Sequence, residues 1–227
     1  MNNDEPVKFL DSKGKPVPSV TKVLGVYSKS FLIPWANDLG LKGIKYSDYM
    51  ERITGIGKAN HDMIESYLLG RDFDASKYSD EVIRESEPIF NKFIRWESTN
   101  SVAIMESEKP MTSDRYGGIL DAVIDLNGIL TLIDWKTSKE IYPDYFSQLT
   151  AYYFLLNNGW VCDGNDEDNK KMKILFSSIQ QIGILHIPKE DGETRIKLID
   201  IGSSQFWDHW DYFESCLDLY NKRKRIK

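Results

Sequence analysis

The spacing of apolar positions changes period several times along the chain, and each change marks an element. Residues 7–17 set the turn-forming run Ser12-Lys13-Gly14-Lys15 between two short stretches, which predicts a short hairpin or extended arm. Pro18-Ser19-Val20-Thr21 offers an N-cap for a short helix through Leu24. Helical spacing runs over residues 31–41 and 46–69, with Gly70 as a stop. It returns over 79–97, where Pro88 predicts a kink or a break. The period then falls to two: 101–108, 119–126 and 129–136 read as strands. Residues 143–157 form a helix with proline at its start and Asn158-Gly159 behind it. Two further strands are expected near 179–187 and 194–201, parted by the turn Lys189-Glu190-Asp191-Gly192. A last helix starts at Ser203 or Ser204 and carries Phe206, Trp210, Phe213, Leu217 and Tyr220 at helical spacing.

Between these, residues 162–171 (CDGNDEDNKK) are polar throughout and predict a solvated surface loop. Their likeness to a calcium loop is superficial, because Asp168 stands where the sharp turn needs glycine and Ile174 where a ligand is needed. The element order predicts an α/β single domain over 1–227: a mainly helical part at 1–100, a sheet core with one helix at 101–202, and a C-terminal helix at 203–227.

Composition narrows this only a little. The 227 residues are 41% hydrophobic and 28% charged, ordinary for a globular chain. No apolar run reaches the roughly 18–20 residues of a membrane span. The opening MNNDEPVKFL has neither a basic nor an apolar leader segment, so a cytoplasmic setting, in a bacterium or a phage-infected cell, is the expectation. Two cysteines, Cys162 and Cys216, are too few for a disulfide framework or a four-thiolate iron–sulfur cluster. A net charge of −6 gives no overall attraction to nucleic acid, so such a partner needs a local basic groove. No phosphate-cradling G-x-x-x-x-G-K-[ST] pattern is present.

The candidate chemistry lies around Asn127-Gly128, a strong signal for a two-residue hairpin turn. In that register Leu126 faces Ile129 and, further out, Asp121 faces Asp134, with Cα atoms about 4.5 Å apart. Alternation puts Lys136 on the face of Asp134, and sets Leu120, Ala122, Ile124, Ile133 and Trp135 on an apolar opposite face. Like charges directly opposite destabilise a sheet, so the pair must share a proton, bind a cation or lie in solvent. Paired carboxylates with a lysine two residues on suit phosphodiester hydrolysis. The carboxylates hold Mg²⁺ or Mn²⁺, the Trp135 carbonyl can add a further oxygen ligand, and the lysine orients or activates the attacking water. A solvated hairpin end is the plain alternative.

Three ordered motifs then extend the pattern: G-x-L-D at 118–121, I-D-W-K-T-S at 133–138 and Q-x-x-x-Y at 148–152. Together with PSVTKVL at 18–24 and GKANHDMIESYL at 57–68, they resemble the PD-(D/E)XK nuclease superfamily in its RecB-like branch. Within that branch the set is similar to the mitochondrial genome maintenance exonuclease group and its phage and bacterial relatives. The resemblance covers roughly residues 17–157. It implies a central mixed β-sheet flanked by helices, of restriction-endonuclease type, with an N-terminal helical segment.

It also implies that His61, Asp121 and Asp134 hold Mg²⁺ or Mn²⁺ and that Lys136 is catalytic. Glu65 is expected to orient His61 or a water. Glu106 and Glu108 share a strand face by alternation, and the spacing of the family the chain resembles favours Glu106 over Glu108 as a further site carboxylate. Gln148 and Tyr152, on one helix face, are expected beside Lys136 or a phosphate, and Thr137 and Ser138 near a phosphate or in the turn that follows. The implied activity is a metal-dependent DNA exonuclease acting on single-stranded ends, without an iron–sulfur cluster, in DNA repair or recombination. A structure-specific endonuclease with the same site and a catalytically silent nucleic-acid-binding module are the alternatives.

Overall fold

The computed structural model describes residues 7–27 and 32–226. Leu10 pairs with Pro16 across the turn at 12–14, so the expected arm is a small hairpin. Helix α1 (Val20–Leu24) is capped by the Ser19 hydroxyl, which accepts from the Lys22 amide. Helices α2 (Leu32–Leu41), α3 (Tyr46–Leu68) and α4 (Asp80–Glu97) follow. Phe31, the expected start of α2, and residues 1–6 of the expected leaderless start lie outside the described residues. Gly70 takes a left-handed φ of 62° after α3. Pro88 neither breaks nor ends α4, which continues to Glu97.

A six-stranded mixed sheet is flanked by the helices, in the order β4-β1-β2-β3-β5-β6. The strands are β1 (Val102–Thr112), β2 (Gly117–Leu126), β3 (Ile129–Lys136), β4 (Trp160–Val161), β5 (Gln181–His186) and β6 (Arg195–Asp200). Only β3 and β5 run parallel, joined through α5 (Pro143–Asn158), β4 and α6 (Asp166–Ser178). The short β4 has no counterpart in the sequence pattern. Nor does α6, where the sequence predicts a solvated loop over 162–171. Asn165 closes a capping box with Asp168, accepting from the Glu167 and Asp168 amides, and Met172 and Leu175 are buried. The polar run is thus a helix start, with its acidic residues at the positive end of the helix dipole.

Two apolar layers enclose the sheet. On one side α1, α5 and α7 (Ser204–Arg225) bury Phe146, Leu149, Phe206 and Phe213 against Val123, Leu132 and Ile182. On the other, Ile56 and Ile64 of α3 and Ile89 and Phe93 of α4 meet Ala122, Ile124, Ile133 and Trp135. Leu120 is an exception to the predicted face: it packs with the α5 layer, not with Ala122 and Ile124. Among the described residues no helix is long and apolar enough to cross a membrane.

Candidate active site

Asn127 (φ 54°) and Gly128 (φ 86°) are both left-handed, as a type I′ turn requires. The register is the predicted one, from Leu126–Ile129 to Ala122–Ile133. The ladder stops there, one step short of Asp121 and Asp134. On the other side of β2, Ser107 pairs with Ala122 and Lys109 with Leu120, so the position between them, Glu108 opposite Asp121, is skipped. Asp121 therefore sits where pairing lapses on both flanks, which accounts for the changed direction of Leu120.

Alternation along β3 sends Asp134 and Lys136 toward α5. Asp134 is fully buried, and apart from the Lys136 ammonium no donor reaches its oxygens; Asp121 Oδ2 also lacks one. The Lys136 Nζ lies 2.5 Å from Asp134 Oδ2 as an ion pair and 4.9 Å from the centre of the Tyr145 ring. Burial raises the Asp121 pKa, with Asp134 and Lys136 pulling it back. Burial and then the Asp121 charge raise Asp134 well above the carboxylate range. The pair thus holds on to a proton that isolated aspartates release, while keeping a charge for Lys136 to face. Burial opposes the charge on Lys136, but Asp134 and Asp121 outweigh it and hold its pKa above the lysine value.

Helix α3 brings His61 to the pair. Its Nε2–H donates to the Trp135 carbonyl at 2.7 Å, leaving Nδ1 with a lone pair 3.6 Å from Asp121 Oδ2. Burial lowers the His61 pKa despite the nearby Asp134 charge, so the imidazole is neutral and able to act as a ligand. The Trp135 carbonyl, expected as an oxygen ligand, is engaged by this hydrogen bond. Glu65, one turn beyond His61, accepts from the Ser107 hydroxyl at 2.5 Å. Asp62 accepts from Tyr78 at 2.6 Å.

The structure separates the two glutamates of β1. Glu106 turns away to pair with Lys109 at 3.2 Å and Lys171 at 2.8 Å. A register shift between Ile104 and Glu106 and a left-handed Glu108 (φ 44°) break the alternation that would put both on one face. Glu108 instead joins His61 and Asp121, each contributing one donor atom within 4.8 Å of the others. Its side chain keeps solvent contact on one side, while burial on the other and the charges of Glu65, Asp62 and Asp134 push its pKa up to about 7.

On α5, Gln148 Nε2 donates to the Tyr152 hydroxyl at 2.8 Å, so the expected pair is formed. Tyr152 is buried near Asp121. Its ring edge abuts Gly118, where an added Cβ would stand 2.4 Å from the ring, which explains the glycine in the G-x-L-D segment. Thr137 is buried. Ser138 is committed to the turn, donating to the Glu140 carbonyl at 2.8 Å while its own carbonyl accepts from His186 Nε2 at 2.6 Å. Sequence reasoning did not single out Tyr145, Asp62 or His186. Tyr145 alone carried a signal, three residues before Gln148 on the same helix.

The donor set suits a hard divalent cation: a neutral imidazole, carboxylates from two strands, and buried carboxylate oxygens without partners. No protein-family profile matches the chain. The sequence is 28% identical over 204 residues to human mitochondrial genome maintenance exonuclease 1, covering 86% of this chain and 56% of that protein. The chain thus spans about half the length of a protein named as an exonuclease, and the likeness supports a relationship to nucleases.

Proposed function

We propose that the chain is a divalent-metal-dependent DNA exonuclease that hydrolyses phosphodiester bonds from single-stranded ends. One observation carries the reading: Asp121 and Asp134 are driven together in a buried place, Asp121 Oδ2 and Asp134 Oδ1 lack donors, and His61 and Lys136 flank them. A fold retains such a pair against its own repulsion when a cation offsets it. The similarity to a named exonuclease favours DNA hydrolysis over other metal chemistry.

His61, Asp121 and Asp134 would hold Mg²⁺ or Mn²⁺, which when bound polarises a phosphoryl oxygen and acidifies a water. The neutral imidazole is ready as a ligand through Nδ1. Nε2 becomes available if the ring gives up its hydrogen bond to Trp135. Lys136, held protonated by Asp134 and Asp121, is unsuited to accept a proton; it orients the attacking water and offsets charge growing on the phosphate. Tyr145 keeps that ammonium over its ring. Gln148 and Tyr152 brace the carboxylates from the α5 side.

The test compares linear and circular single-stranded DNA in Mn²⁺. Release of nucleotides from the linear strand with the circle intact fits the proposal. Cutting of the circle assigns the site to an endonuclease, and persistence of both substrates removes the nuclease reading.

A further inference from the structure

We infer that Glu108, rather than Glu106, is a direct ligand of the divalent cation, completing a set with His61 and Asp121, and that its left-handed backbone serves this purpose. The inference rests on the metal-dependent reading above and adds a ligand to it.

The backbone is the first argument. Three non-glycine residues among those described have positive φ: Glu108, Asn127 and Asp163. Asn127 lies in a tight turn, and Asn and Asp tolerate this conformation better than other side chains. Glu108 has neither excuse: it lies within a strand, and its chemistry gives no local compensation. Residues held this way persist where the surroundings impose them, and they concentrate at functional sites.

The consequence of that conformation is the second argument. Regular alternation would point Glu108 the same way as Glu106, toward the side where Lys109 and Lys171 neutralise a carboxylate. The lapse in pairing at Glu108 and Asp121 redirects it instead, and its donor atom comes within 4.8 Å of those of His61 and Asp121. No lysine or arginine forms an ion pair with Glu108 among the described residues. Its neighbours include Glu65, Asp62 and Asp134, against Lys58 and the Lys136 already paired with Asp134, so the arrangement gathers more negative than positive charge. Asp134, wholly buried beside this group, has only the Lys136 ammonium as a partner and leaves Oδ1 without a donor. An imidazole nitrogen and two carboxylates from three separate elements meet the donor preference of Mg²⁺ or Mn²⁺, with room left on the solvent side for water.

The experiment is a calorimetric titration of the full chain with MnCl₂, comparing wild type with Glu108→Gln, Glu106→Gln and Asp121→Asn, together with melting in EDTA. Glu108→Gln should raise the Mn²⁺ dissociation constant about tenfold or more, on the scale that loss of a metal-site group produces. Glu106→Gln should stay within about twofold. In EDTA, Glu108→Gly should melt about 2–4 °C above Glu108→Ala, because glycine adopts the left-handed φ without strain. Wild-type affinity in Glu108→Gln, with Asp121→Asn impaired, overturns this inference and leaves the metal site standing. A chain that binds no Mn²⁺ in any form overturns both.

Discussion

Replacing Asp121 by asparagine should make the metal-free protein more stable, although the residue lies at the centre of the site. The substitution keeps volume and shape, removes one of two mutually repelling carboxylates, and places an amide donor beside Asp134, whose Oδ1 lacks one. Two unit charges about 4 Å apart at an effective dielectric of about 20 repel by roughly 4 kcal/mol. The wild type avoids much of that by retaining a proton and by pairing Asp134 with Lys136, so the net gain is about 1–2 kcal/mol, or ~2–8 °C in a chain of this size. The sign in pH follows from the raised pKa values of both aspartates. The folded state binds protons more tightly than the unfolded one, so wild-type stability falls as pH rises from the ordinary carboxylate range through the folded values. The advantage of Asp121→Asn therefore grows over that window and is small in acid. With saturating Mn²⁺ the order reverses: ligand at about 100 times its dissociation constant adds about 2.7 kcal/mol to the wild type and far less to the variant. Scanning calorimetry in EDTA and in Mn²⁺, at several pH values, reads all three. A variant that melts below wild type in EDTA at neutral pH would refute the claim that the pair is held under repulsion.

Three further outcomes follow from particular contacts. Gly118→Ala should destabilise the fold by about 1–3 kcal/mol, since its methyl group must displace the Tyr152 ring; denaturant melts measure the loss, and an unchanged midpoint counts against the close approach of the ring. Asn165→Ala should cost about 1 kcal/mol through loss of the α6 cap. Hydrogen exchange should then quicken in the first turn of α6 before any other helix, whereas uniform exchange would place the cap's importance elsewhere. Tyr145→Leu should lower nuclease turnover by less than tenfold while leaving Mn²⁺ affinity intact, because the ring lies against the Lys136 ammonium. Lost metal affinity would contradict that division of roles.

The sequence carried the parts of the site that rest on local rules. Asn127-Gly128 can form little other than a type I′ turn between two strand patterns, so the register and the approach of Asp121 to Asp134 could be read before any coordinates. Helical spacing likewise put His61 and Glu65 on one face of α3 and paired Gln148 with Tyr152. What escaped depends on interruptions of those rules. The left-handed Glu108 and the register shift ahead of Glu106 reverse which glutamate reaches the site, and nothing in MESEKP announces either. Helix α6 was hidden because its capping box is built from the same Asn and Asp residues that mark loops. Pro88 predicts a kink or a break, and α4 runs through it without a break. The engagement of the Trp135 carbonyl by His61 is a tertiary contact between residues 74 apart, beyond the reach of periodicity.

The most direct measurement of the central claim is single-turnover cleavage of an end-labelled single-stranded oligonucleotide, run beside Mn²⁺ calorimetry on the same preparations of wild type, Lys136→Met and Asp121→Asn. The account predicts that wild type cleaves in Mn²⁺ and stops in EDTA. Lys136→Met should bind Mn²⁺ yet cleave at least about a hundredfold more slowly, on the scale of a lost transition-state charge contact. Asp121→Asn should lose both binding and cleavage. Cleavage at the wild-type rate by either variant would contradict the account, as would wild-type activity that persists in EDTA.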